Sequence, residues 1–238
     1  MVWQPVPVWV PARTALAYAS GVVMLVGGIG LLFRATAAWA ARILFPYLLI
    51  WMCLKLPALF VALRMEAVWL GFGELAALFA GGWFLFARLA EPQQGSPLAL
   101  LAGEKALRLV KMFYGIWLIP IGLSHIVYLK ETVDLVPAWL PYRPGWAHLT
   151  GVGHIAAGLG VLFSVLPRAA AFAESAMIGV FTILVWGPAI AAAPKARLPW
   201  TAFFISWAIA STAWVVAQNI STKQPTNEKL ATRKVAAV

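Results

Sequence analysis

The stretch TALAYASGVVMLVGGIGLLF, residues 14–33, carries no charged side chain. At about 1.5 Å of rise per residue, a helix of that length crosses the ~30 Å hydrocarbon core of a bilayer. A helix also satisfies its own backbone hydrogen bonds there, which lipid cannot do for it. Further segments of the same kind follow at 42–63, 68–87, 106–128, 146–166, 173–193 and 200–217, each ending close to a charge, a proline or a tryptophan. The sequence therefore predicts an all-α polytopic membrane protein with seven spans.

The composition agrees with that reading. Of 238 residues, 63% are hydrophobic and 11% charged, whereas about 25% of the residues of a soluble domain are charged. The net charge is +10, from 18 Lys and Arg against 8 Asp and Glu. Those cations punctuate apolar runs rather than gather into one patch, so they read as topology signals with the bilayer as partner, and nucleic acid is excluded. Eleven lie on one side of the alternating path and six on the other. Lys and Arg favour cytoplasmic loops, which places the C-terminus in the cytoplasm and the N-terminus outside. The segment 219–238 is polar and basic, with no apolar periodicity, and reads as a disordered cytoplasmic tail. Cys53 is the single cysteine, so an intramolecular disulfide, a C-x-x-C pair and a cysteine metal site are all ruled out.

The sequence repeats itself. VPVWVP at 6–11 recurs as VPAWLP at 136–141, and at this offset of 130 Arg13 pairs with Arg143, Gly21 with Gly151, Gly28 with Gly158, Gly30 with Gly160 and Phe33 with Phe163. After one inserted residue the offset becomes 131, pairing Pro57 with Pro188, Trp69 with Trp200 and Trp83 with Trp214. An even number of spans separates the two proline-tryptophan loops, so both halves have the same orientation, as parallel repeats about an axis along the membrane normal. The expected units are 1–90 with three helices and 104–218 with four. A further helix upstream of Met1 would complete the first unit and bring both ends inside. Glycines at spacings of three and four let helices approach closely, which points the face of Gly151, His154 and Gly158 into a bundle.

Ionisable groups inside a membrane are functional candidates by default. Counted from the expected outer ends, Lys55 lies ~13 Å deep, Glu74 ~9 Å, His154 ~12 Å and His125 ~5 Å, all in the outer half. Lys55 and Glu74 fall on consecutive antiparallel helices at compatible depth, where an ion pair offsets part of the desolvation each charge suffers alone. The second half has Trp186 and Ile205 in their place. His125 and His154 lie on neighbouring helices, His154 replacing Met24 of the first half. Neutral imidazoles there suit an interhelical hydrogen bond, a quinone carbonyl or haem iron, with haem the least favoured cofactor. Glu174, near the cytoplasmic end of its helix, is expected to snorkel or pair locally. The chain lacks a phosphate-binding glycine loop and H-E-x-x-H, and no metal site is expected.

GLSHIVYL at 122–129, LVPAWLP at 135–141, WAHLTG at 146–151 and AGLG at 157–160 resemble the DoxX-like family of small bacterial inner-membrane proteins. The likeness is closest over 106–163. It implies a four-helix membrane module, duplicated here, in the plasma membrane. It also implies a link to membrane redox complexes, some of them quinone-dependent, and hence a membrane or redox partner protein. His125 and the VPAWLP loop match the family pattern, whereas a single cysteine departs from a thiol role.

Two functional classes follow. One is a membrane component of a redox system, holding a quinone-like molecule in an outer-leaflet cavity near Lys55, Glu74, His125 and His154. The other is a non-enzymatic small-solute transporter or assembly factor, with Lys55 and Glu74 as a gate or proton relay.

Overall fold

A computed structural model describes residues 11–90, 92 and 95–220. Residues 6–10 of the first proline-tryptophan loop and 221–238 of the tail lie outside them. The described residues form helices α1 (Arg13–Leu31), α2 (Arg34–Val61), α3 (Glu66–Leu89), α4 (Gly103–Val127), α5 (Leu129–Leu135), α6 (Arg143–Leu162), α7 (Pro167–Phe181), α8 (Gly187–Ala192) and α9 (Arg197–Asn219), and no strand. A π-helical turn, Thr182–Trp186, joins α7 to α8.

Among the described residues, six helices are long and apolar enough to cross a membrane: α1, α2, α3, α4, the composite Pro167–Ala192, and α9. The remaining expected segment is α6, a helix of 20 residues diluted in apolarity by glycines, His148 and His154. It packs against α4 and α7, so much of its surface meets protein and has no need of a lipid-soluble side chain.

Helix ends differ from expectation mainly at α2, which starts at Arg34 instead of 42. Arg42 does not end the helix because its guanidinium donates to the Ala90 carbonyl at the end of α3, Nε at 2.9 Å, and lies over the Trp39 ring. Pro46, Pro57 and Pro120 sit inside helices, where neighbouring helices support the interrupted ladder.

Local features recur along the chain at the two sequence offsets. Left-handed Ala12 (φ 53°) and Tyr142 (φ 51°) immediately precede α1 and α6. A Cβ built on Gly30 would lie 2.9 Å from the Ala40 Cβ, and one on Gly160 3.0 Å from the Ala170 Cβ. Trp69 Nε1 donates to the Leu63 carbonyl and Trp200 Nε1 to the Pro194 carbonyl, each at 2.9 Å. The offset changes from 130 to 131 between these features. The π turn lies in that interval, and a π turn absorbs one extra residue without rotating the rest of the helix.

The contacts between α3 and α9 carry the same number. Thr212 packs against Gly81, its Oγ1 2.6 Å from where a Cβ would stand, and Arg88 Nε donates to Asn219 Oδ1 at 2.9 Å. Each pair joins residues 131 apart in sequence. Helix α4 packs between α3 and α6. Its seam with α6 is backbone on backbone: a Cβ on Gly115 would meet the Gly158 carbonyl at 2.7 Å, and one on Gly151 the Gly122 carbonyl at 2.9 Å.

Candidate functional site

The close seam between α4 and α6 brings two histidines together. A Cβ on Gly151 would sit 3.0 Å from the His125 Cβ, and one on Gly122 3.0 Å from the His154 Cβ. Each imidazole thus occupies space that the opposite helix vacates by carrying glycine. The ring centroids are 5.0 Å apart, with the planes inclined at 49°.

The two rings are held differently. His125 Nδ1 lies 2.9 Å from the Ile121 carbonyl, which can only accept, so Nδ1 carries the proton. Ser124 Oγ donates to the same carbonyl at 2.7 Å. His154 Nδ1 lies 2.6 Å from Glu174 Oε1, with one proton between them. Among the described residues neither Nε2 has a hydrogen-bond partner.

Glu174 comes from α7 and is 1% exposed. The expectation that it would snorkel or pair locally is corrected: its carboxyl group turns inward and bonds α6. Arg168, the nearest cation along the helix, lies over the Phe172 ring instead. Tyr114 of α4 is fully buried within electrostatic reach of Glu174, and Tyr114 Oη and Glu174 Oε2 both lack a partner among the described residues. Sequence reasoning did not single out Tyr114 and gave Glu174 a different setting. The signal for Glu174 was available, since at the offset of 130 it falls on Leu44, a buried core position.

Lys55 and Glu74 form a separate group. Lys55 Nζ donates to the Gly71 carbonyl of α3 at 2.8 Å. Glu74, one turn further, is within electrostatic reach of Lys55 and Glu66, but Lys55 and Glu74 make no ion pair among the described residues. Both carboxylate oxygens of Glu66 are buried without a partner. A cleft of about 740 Å³ opens beside Glu66 and is lined by residues of the α2–α3 turn together with Val127 and Tyr128. None of Lys55, Glu74, His125 and His154 borders it. Among the described residues the candidates fall into two bonded or electrostatically linked groups, a histidine–carboxylate couple on α4, α6 and α7 and a Lys55–Glu66–Glu74 group on α2 and α3.

No family model, curated protein or solved structure matches this chain. Among the described residues, the all-helical architecture and the six long apolar helices are compatible with a multi-pass membrane protein.

Proposed function

We propose that this protein is the membrane-embedded component of a quinone-linked redox system, with His125 and His154 receiving the headgroup. The observation that carries the reading is the state of the four ring nitrogens. Both Nδ1 atoms are engaged and, among the described residues, both Nε2 atoms are unpartnered, on rings whose centroids lie 5.0 Å apart.

With Nδ1 protonated, a neutral imidazole presents Nε2 as an acceptor. The pair therefore suits the hydroxyl groups of a hydroquinone better than the carbonyls of the oxidised ring. His154 has a further capacity. Accepting a hydroxyl proton at Nε2 lets its Nδ1 proton pass to Glu174, so the carboxylate serves as the proton store of the site.

The finer topology belongs to the same proposal. α6 is the seventh span, the halves 1–90 and 104–218 are parallel repeats, the C-terminus is cytoplasmic as the balance of Lys and Arg implies, and the membrane is a bacterial inner membrane as the DoxX-like resemblance implies. Support for the repeats comes from the contacts that recur at 130 and 131 and from a π turn where the offset changes.

Native mass spectrometry of protein released from mild detergent tests the function. The expected result is a retained isoprenoid quinone that His154→Ala loses. Retention of phospholipid alone would overturn the redox reading in favour of a transporter or assembly factor working through Lys55, Glu66 and Glu74.

A further inference from the structure

The cleft beside Glu66 sits where three apolar helices stop. α2 ends at Val61, α3 begins at Glu66 and α4 ends at Val127, and residues of all three line a volume of about 740 Å³. That volume falls in the range of sites for small molecules. Helices long and apolar enough to cross a bilayer bring their ends to the depth of the lipid headgroups. Trp69, in the first turn of α3 with its Nε1 on the Leu63 carbonyl, suits the same level.

The cleft carries groups of both signs that do not satisfy one another. Both carboxylate oxygens of Glu66 are buried without a partner. The charge within electrostatic reach of that group is a second carboxylate, Glu74, while Lys55 is held on the Gly71 carbonyl further along α3. Arg64 is exposed and makes no hydrogen bond or ion pair among the described residues. Tyr128 Oη accepts from the Ala67 amide at 3.1 Å, and its own hydroxyl proton has no acceptor among the described residues. A buried carboxylate needs N–H or O–H donors, whereas a guanidinium and a phenol are best satisfied together by an anion. Around these groups the cleft wall is apolar, with Phe60, Leu63, Met65 and Val127 exposed.

We propose that the cleft binds the headgroup of a phospholipid carrying a primary ammonium and a phosphate, as phosphatidylethanolamine does. The ammonium donates to Glu66, which forms part of the cleft wall and needs only a change of side-chain rotamer to meet it. The phosphate takes the Arg64 guanidinium and the Tyr128 hydroxyl, and the acyl chains lie against Phe60 and Val127. A trimethylated ammonium has no N–H to donate, and a glycerol headgroup has no cation. The site therefore selects one headgroup class. Neither the histidine couple nor the quinone reading enters this inference.

The test is native mass spectrometry of the full chain in mild detergent, exchanged with equal amounts of phosphatidylethanolamine, phosphatidylcholine and phosphatidylglycerol of one acyl composition. Phosphatidylethanolamine should be retained about tenfold over either of the others, the effect of one hydrogen bond to a charged group. Glu66→Gln, nearly identical in shape, should bring it down to the phosphatidylcholine level. Arg64→Gln should weaken all three alike, since all carry a phosphate, and keep the preference. Arg197→Gln, at the exposed arginine that opens α9, should change neither. Equal retention of the three lipids by the unaltered chain overturns the proposal without recourse to a variant. A preference that survives Glu66→Gln overturns the role of that carboxylate. Displacement by free phosphoethanolamine at the concentration the lipid itself needs would make the ligand a soluble zwitterion and overturn the lipid. A quinone adduct has its own mass, so each result stands apart from the quinone reading.

Discussion

His154 and Glu174 join α6 to α7 through one 2.6 Å hydrogen bond, with both side chains almost fully enclosed. The positions 130 residues earlier hold Met24 and Leu44, apolar residues where this couple is polar. Removing one partner of such a couple strands the other in a low-dielectric interior, whereas replacing both with packed apolar groups restores a viable core. His154→Ala or Glu174→Leu alone should lower stability by about 1–3 kcal/mol, the cost of a buried polar group left without its partner. The double variant His154→Met with Glu174→Leu should recover most of that loss while losing the quinone. Thermal unfolding in detergent, run beside ligand retention, checks both halves of the statement. A double variant no more stable than the worse single one would show that the couple is needed for packing.

How far the sequence revealed this site depends on the residue. His125 and His154 were legible because glycines at seven-residue spacing mark an internal face and histidine is rare within a span. Glu174 was not, because counting from Arg168 put it near the interface, and span depth alone cannot tell an inward carboxylate from a snorkelling one. Tyr114 gave no signal: its hydroxyl matters only through what lies opposite in three dimensions. Lys55 and Glu74 were correctly set on facing helices, but the competing acceptor, the Gly71 carbonyl, is backbone and therefore invisible to residue-type reasoning. The helices were legible in outline from apolar length. α6 was the exception in quality, since a helix covered by protein needs less apolarity than one facing lipid.

Tyr114 poses a question that one substitution answers. Its hydroxyl is fully buried with no partner among the described residues, an arrangement that costs about 1–3 kcal/mol when nothing solvates the group. Tyr114→Phe should therefore leave stability unchanged or raise it by about 1 kcal/mol. If the phenol serves the proton store at Glu174, the same variant should weaken quinone retention. Greater stability with poorer retention marks a functional hydroxyl, while a drop in unfolding temperature would mean that Tyr114 Oη is already satisfied.

The seam between α4 and α6 should tolerate no side chain. Gly158→Ala places a methyl group 2.6 Å from the Gly115 carbonyl, and backbone on a packed helix cannot swing aside. Forcing the helices apart should cost about 1–3 kcal/mol, typical of overpacking, and should separate the two imidazoles. Gly179→Ala, with nothing within 4 Å, should stay within about 1 kcal/mol of the parent. Equal unfolding temperatures for the two variants would count against a backbone-on-backbone seam.

The π turn makes the last prediction. Helix α2 runs through 28 residues of continuous α-helix, whereas the stretch in which the sequence offset grows from 130 to 131 contains the π turn at Thr182–Trp186. Deleting Ile183, which is 56% exposed, should turn the π turn into ordinary helix and leave Glu174 against His154 and Trp200 on the Pro194 carbonyl. Deleting Ile50 of α2, 58% exposed, removes a residue where no turn can absorb the change. Everything beyond it must rotate by about 100°, which takes Lys55 off Gly71. The Ile183 deletion should therefore unfold within a few degrees of the parent, and the Ile50 deletion far below it. Comparable losses in the two would show that the π turn is held in place by its surroundings and is not the site of the extra residue.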